Sequence, residues 1–513
     1  MEREQAPGRV VLWSTMLWGI LAHGMMLFNK FSFHDDARLA FHIGATVSSG
    51  RWMLEVLKRF FECIFGGSLY SLPLFNGVGT LLLMALASYM LVRMLRLRSR
   101  AGCALLAGLM VVFPVVTATL GYMYTAPYYM LGLDMAVAGA WLIDETTCGR
   151  RWYFLPAGSF LIACGIGVYQ ACIPFILTLL LLCVVRRILD DAEGRTFYFF
   201  RTGFTMAGGC VLFLAFYLVG NWLGLRLLGV SLSDYESISS FGFSGWAQYW
   251  DRVCLAYQEF FVPAAGKMRD MYPLASLRWF YRVVLVFGVL LAADRAALLF
   301  RACKARCAEF LLLTVLFPLA VNFILVMVDA KLVHSLMMGS EVFTFVFFLM
   351  LLEHAATDHR NYPAWLPRVG LSTLTAMALL YCYFANICYF KADVLQAQAI
   401  SYFTRLVSRI ESTQGYSPEL PVVYLNELHK RDLNLKAFPE FRDVRLVPYL
   451  YDDRHQLINN YAWKDFMALW CGYSPVVLEN TEKFEALPEV LAMPRYPLEG
   501  SVRVVGQAVV VKF

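Results

Sequence analysis

Charge is scarce in this chain: Asp, Glu, Lys and Arg supply 16% of its 513 residues, against about 25% in an average soluble domain. Apolar residues reach 59%, aromatics 15%, and the mean hydropathy is +0.57. Together these exclude a soluble enzyme of this size and an intrinsically disordered chain. The 44 basic and 38 acidic residues leave a net charge of +6, too mild a surplus to suggest nucleic acid. No P-loop, strand-borne GxGxxG, GxSxG or HExxH is present, which excludes ATP hydrolysis and dinucleotide chemistry. No CxxC pair occurs among the thirteen cysteines. Most of them, such as Cys103, Cys164, Cys172, Cys183, Cys210 and Cys382, lie in apolar runs, where cysteine is a small hydrophobe. The absence of repeats and low-complexity tracts weakens the case for an inverted-repeat transporter.

What is abundant is long apolar sequence. Stretches of about 17–25 residues give eleven candidate spans: 10–28, 71–92, 101–120, 127–145, 153–171, 172–189, 203–224, 279–300, 308–328, 336–356 and 369–390. The run Val10–Phe28 has no small-residue cleavage site after it and reads as a retained span. The pair 153–171 and 172–189 is joined so tightly that it reads as a hairpin or a re-entrant element. Arginines gather at alternate connections: Arg93, Arg96, Arg98 and Arg100; Arg150 and Arg151; Arg186, Arg187, Arg195 and Arg201; then Arg295, Arg301, Lys304, Arg306, Arg360 and Arg368. The short connections 121–126 and 171–173 carry none. The positive-inside rule then places the N-terminus in the cytoplasm, and an odd span count places the C-terminal segment outside.

The fold class expected is an α-helical polytopic membrane protein. Its transmembrane domain, 1–390, has outer loops at 29–70 and 225–278. The tail 391–513 is richer in Asn, Asp, Glu, His and Lys, and reads as a small extracytoplasmic α/β domain. There Pro421–Leu425, Val444–Val447 and Ala508–Val511 read as short strands, Ala462–Trp470 as a helix, and Asp393–Ile410 as a helix continuing from the last span.

The first outer loop opens with Asn29-Lys30-Phe31-Ser32-Phe33-His34-Asp35-Asp36-Ala37-Arg38. Two adjacent carboxylates at a membrane boundary are costly unless solvated, paired or metal-bound. They read either as a catalytic base with its partner, able to take a proton from a sugar hydroxyl, or as caps for a helix starting at Ala37. A divalent ion such as Mg²⁺ or Mn²⁺, if used, has Asp35 and Asp36 as its ligands. Because neighbouring carboxylates repel, one should titrate high unless a cation or arginine sits close. Arg38 and His42 share a helical face, four residues apart. Arg51 precedes an amphipathic stretch to Phe65, whose narrow polar stripe pairs Glu55 with Arg59 and Lys58 with Glu62. Such a helix lies in the membrane interface. Arg38 and Arg51 suit a phosphate.

Elsewhere, Tyr122, Tyr124, Tyr128 and Tyr129 cluster at one outer boundary and Tyr169 with Gln170 at the next, as an interface belt or as stacking partners for a sugar. Lys331 and His334 share the connection DAKLVHS with Asp329; Lys331 reads as a lipid-phosphate ligand or a helix anchor. His34, His42, Tyr169, Gln170 and His334 are the substrate-binding candidates. Asp134 lies within a span and wants a polar neighbour. Glu55 and Glu341 are next in line should the aspartates not be catalytic.

The chain resembles the bacterial Gtr type-II glucosyl transferase family, within the lipid-linked-sugar (GT-C-like) membrane glycosyltransferases. The matching residues are Asp35-Asp36-Ala37-Arg38, Gly50-Arg51-Trp52 and Tyr169-Gln170. Further along are Tyr402–Ile410, Gly415-Tyr416, Pro421-Val422-Val423, Met493-Pro494-Arg495-Tyr496-Pro497 and Val509-Val510-Val511-Lys512. The resemblance implies transfer of glucose from a polyprenyl-phosphate-sugar donor to a surface glycan, such as the O-antigen of lipopolysaccharide, on the outer face of the bacterial inner membrane. It also implies that the acidic pair in the first outer loop, here Asp35 and Asp36, is catalytic. Donor phosphate binding by Arg38, Arg51 and Lys331 is an inference from charge and position. His34 before the aspartates departs from the commonest glucosyl members. The alternative class, a transporter or flippase of lipid-linked sugars, needs ionisable residues at mid-membrane, and only Asp134 is placed so deep.

Overall fold

Apolar runs of this length bury their backbone polar groups by coiling, and nearly all of them are helical in the computed structural model. It describes residues 7–38, 46–147, 149, 151–190, 202–233, 246–262, 270–357, 365–426 and 462–513. In chain order the helices are α1 (Pro7–Phe28), α2 (Trp52–Phe65), α3 (Pro73–Leu95), α4 (Arg100–Val112), α5 (Pro114–Leu120) and α6 (Ala126–Thr147). Then come α7 (Phe154–Val168), α8 (Cys172–Asp190), α9 (Phe204–Leu228), α10 (Trp246–Phe261), α11 (Ala275–Ala302) and α12 (Lys304–Val321). The last are α13 (Ile324–Met327), α14 (Phe343–Thr357), α15 (Trp365–Glu411), α16 (Trp463–Cys471), α17 (Glu482–Glu485) and α18 (Pro488–Leu491). Three strands complete the fold: β1 (Val422–Leu425), β2 (Val502–Val505) and β3 (Ala508–Lys512).

Among the described residues eight stretches are long and apolar enough to cross a membrane: α1, α3, α6, α8, α9, α11, Gly339–Ala356 with α14, and α15. The α4–α5 pair makes a ninth if it is one span. Its 46° bend falls where Pro114 forces Phe113 into extended backbone. The eleven expected spans exceed this count by two segments. α7 has only fifteen residues, roughly 22 Å of helix. α12 carries Lys304, Arg306 and Glu309 in its first two turns.

The chain divides into two compact units, Met1–Phe28 with His42–Asn386, and Asn29–Phe41 with Ile387–Phe513. In the first, α6 and α7 touch backbone to backbone. A Cβ on Gly139 would stand 2.4 Å from the Gly158 carbonyl, and one on Gly165 2.4 Å from that of Gly132. Small residues at seven-residue spacing allow this approach. The helix ends bearing the arginines converge. Arg186 and Arg187 clasp Asp144 at 3.1 and 2.7 Å, Arg96 meets Asp190 at 3.4 Å, and Arg306 donates to the Ile188 carbonyl. Glu353 accepts from the backbone N–H of Arg98 and Ser99 at the start of α4, at 2.8 and 3.1 Å.

In the second unit the strand order is β1-β3-β2, with β1 parallel and β2 antiparallel to β3. Val423, Leu425, Val490, Met493, Val505, Ala508 and Val510 form its core. Pro421–Leu425, Ala508–Val511 and Ala462–Trp470 adopt the expected states; β2 is an additional strand, and Val444–Val447 lies outside the described residues. Asp393–Ile410 belongs to the 47-residue α15. The second unit joins Asn29–Phe41 to Ile387–Phe513.

Candidate functional site

In the second unit, a single side chain hydrogen-bonds the backbone after Phe28 at two points. The Gln396 amide accepts from the Ser32 N–H and donates to the Lys30 carbonyl, each at 2.8 Å. Phe31 and Phe33 are buried on either side of Ser32. His34–Ala37 then makes one 3₁₀ turn, entered through His34 at φ 49°, a left-handed conformation costly for a residue with a side chain. The turn starts after Phe33, and no side chain caps it. The aspartates are therefore inside the turn and do not cap a helix from Ala37.

The turn gives its two carboxylates opposite surroundings. Asp36 is wholly buried, and the Lys30 ammonium meets its carboxylate at 2.5 Å and its carbonyl at 2.8 Å. Asp35 is 42% exposed, with His34 Nδ1 at 3.3 Å. Arg38, next to the turn, places Nε 2.8 Å from the Asp465 carboxylate, in the first turn of α16. Among the described residues no group of three His, Cys, Asp or Glu is placed to hold a metal ion. His42 lies outside the described residues.

In the first unit, residues Thr46–Gly50 turn tightly into Arg51, whose N–H donates to the Thr46 carbonyl at 2.8 Å. Gly50 has φ 80°, and a Cβ there would stand 2.6 Å from both Gln170 Nε2 and Tyr217 Oη, so only glycine fits. Gln170 donates to the Ser49 carbonyl (2.7 Å) and reaches Tyr217 Oη (3.3 Å), which donates in turn to the Gly50 carbonyl (3.2 Å). This is the partner that an amide at the end of a tight hairpin requires. The lock presents Arg51 to two tyrosines. Its guanidinium carbon lies 5.3 Å from the Tyr169 ring centre, and Nη1 is 3.5 Å from Tyr129 Oη. Tyr129 and Tyr169 stack at 5.0 Å.

Both tyrosines also line an apolar cleft, with Met84, Met110, Phe113, Met130, Phe175, Leu336 and Val342 among its walls. An apolar cleft with a guanidinium at its tyrosine wall suits a ligand with an apolar body and an anionic group. The cleft lies at the Cys172 end of α8, roughly 21–27 Å along the helix from the cluster of Arg186, Arg187 and Asp190.

Of the other candidates, His34, Asp35, Asp36 and Arg38 belong to the second unit, and Arg51, Tyr169 and Gln170 cluster in the first. Lys331 is exposed on a short turn. His334 is half-buried, two residues before the cleft-lining Leu336. Glu55 pairs with Arg59 at 2.7 Å, and Lys58 with Glu62 at 3.1 Å. Glu341 is buried with Tyr272 Oη at 3.4 Å. Lys30, Gln396, Asp465 and Tyr217 escaped the sequence reading. Lys30, six residues before Asp36, carried the one usable signal, a cation close enough to pair with an adjacent-carboxylate motif.

A helical membrane-type protein with its polar chemistry in loops between spans is the class so defined. The chain belongs to the Glucosyl transferase GtrII family, whose pattern it matches over residues 24–353, well over half its length. It is thus a glycosyltransferase, acting between a sugar donor and an acceptor. No curated protein and no solved structure matches it.

Proposed function

We propose that this glucosyltransferase takes glucose from a polyprenyl-phosphate donor, as GT-C-like enzymes do, and places it on a surface glycan such as O-antigen at the outer face of the bacterial inner membrane. The observation that carries this reading is the exposed Asp35 carboxylate on a tightly held turn, within the stretch that matches the family. Asp35 accepts the proton of the acceptor hydroxyl as that oxygen bonds to the anomeric carbon. The bond from that carbon to the donor phosphate breaks, and prenyl phosphate leaves with the electron pair. One displacement inverts the anomeric centre. Within the first unit, the Arg51 guanidinium beside the Tyr129–Tyr169 wall suits the standing charge of the donor phosphate and so serves donor binding. The N-terminus is cytoplasmic and the tail extracytoplasmic in this reading. Purified protein in liposomes, given labelled prenyl-phosphate-glucose and a glycan acceptor, should yield glucosylated product of inverted configuration. Transfer only from a soluble sugar nucleotide, or movement of intact donor across the bilayer without transfer, contradicts the reading.

A further inference from the structure

The acidic pair is not a pair of equivalent carboxylates. We infer that Asp36 is a buried anchor held by Lys30, and that Lys30, Asp36 and Gln396 are positioning residues that fix Asp35 for catalysis. This rests on the function proposed above and divides the labour within it.

Lys30 grips Asp36 twice, at the carboxylate (2.5 Å) and at the carbonyl (2.8 Å), and so fixes both the side chain and the backbone of the residue after Asp35. Gln396 in turn holds the backbone of Lys30 and of Ser32. The Asp36 N–H donates to the Phe33 carbonyl at 3.0 Å, closing the turn. Phe31, Phe33, Asp36 and Ala37 are each at most 2% exposed, while Asp35 stands 42% exposed between them. A buried carboxylate matched to a buried-stem ammonium has no path to an acceptor hydroxyl, whereas its neighbour does. The left-handed His34 at φ 49° shows that the local backbone is held against its own preference, as expected where a turn aims a side chain. A displaced turn misplaces the base, and misplacement of about 1 Å can cost about a hundredfold in rate.

The test uses full-length protein in liposomes, with kcat and donor KM measured for Lys30→Met, Lys30→Arg, Asp36→Asn, Gln396→Ala, Asp35→Asn and the double variant Lys30→Met/Asp36→Asn. Asp35→Asn should abolish transfer. Lys30→Met and Asp36→Asn should each lower kcat about ten- to a hundredfold, with donor KM within about threefold, and Lys30→Arg should restore most of the rate. Gln396→Ala should show a smaller fall of the same kind. The double variant leaves no unpaired buried charge, which protects folding. Its rate should match either single variant, because the groups act as one unit. The inference is overturned if Asp36→Asn is as dead as Asp35→Asn while Lys30→Met keeps wild-type kcat. It is equally overturned if the folded double variant turns over at the wild-type rate, or if the two single losses multiply. Failure of the proposed function is distinct: the wild-type protein itself then transfers nothing from the prenyl-phosphate donor.

Discussion

Arg51 shows what single residues contribute beyond charge. Its guanidinium carbon lies 5.3 Å from the Tyr169 ring centre while Nη1 reaches Tyr129 Oη; lysine keeps the charge but not the planar group. Under the proposed function, Arg51→Lys should raise donor KM about threefold to tenfold and Arg51→Met at least about tenfold, with kcat within about twofold. Steady-state kinetics on the prenyl-phosphate donor checks this, and an unchanged KM in Arg51→Met removes Arg51 from the donor site. At the same scale the sequence was informative about residue type and silent about pairing. Asp35 and Asp36 are adjacent and chemically identical in the sequence, yet their exposures are 42% and 0%. The difference comes from Lys30 and from Gln396, the latter some 360 residues away in the chain. Arg38 is a phosphate candidate by position, but its guanidinium is drawn to Asp465, a pairing across more than 400 residues that spacing cannot reveal.

Elements carry the energetics of the membrane-type unit. The contact between α6 and α7 depends on Gly132, Gly139, Gly158 and Gly165. Gly139→Ala forces the helices apart and should destabilise by about 1–3 kcal/mol, read as a lower thermal midpoint of detergent-extracted protein. A midpoint equal to wild type means the close approach is not required. Within α6, both carboxylate oxygens of Asp134 are buried and have no hydrogen-bond partner among the described residues, a costly arrangement. Asp134→Asn should raise the midpoint by about 2–4 °C and leave transfer intact. Lost transfer would assign Asp134 a functional role. Helices were legible from the sequence because a span-length apolar run has few other solutions. The amphipathic stripe of α2 also read correctly, both i,i+4 pairs being formed. Strand β2 was not legible: its four residues, Val502–Val505, include an exposed Arg503 and pair only through β3.

For the whole molecule, Arg96, Arg186 and Arg306, from separate stretches of the sequence, converge at one end of the first unit, and the tyrosine-walled cleft lies at the other end of α8. If the basic end is cytoplasmic, a periplasmic reporter fused after residue 395 should be active. Activity only from a cytoplasmic reporter at that point reverses the orientation and puts the proposed chemistry on the wrong face.

The most direct measurement of the central claim is turnover of Asp35→Asn in liposomes with prenyl-phosphate-glucose and glycan acceptor, beside donor binding to the same protein. Asparagine keeps the shape of the side chain and removes its basicity, so a base in this position predicts that transfer falls at least about a hundredfold while donor binding stays within about threefold of wild type. Near-normal turnover in a folded Asp35→Asn protein would contradict the account and move the search for the catalytic carboxylate elsewhere.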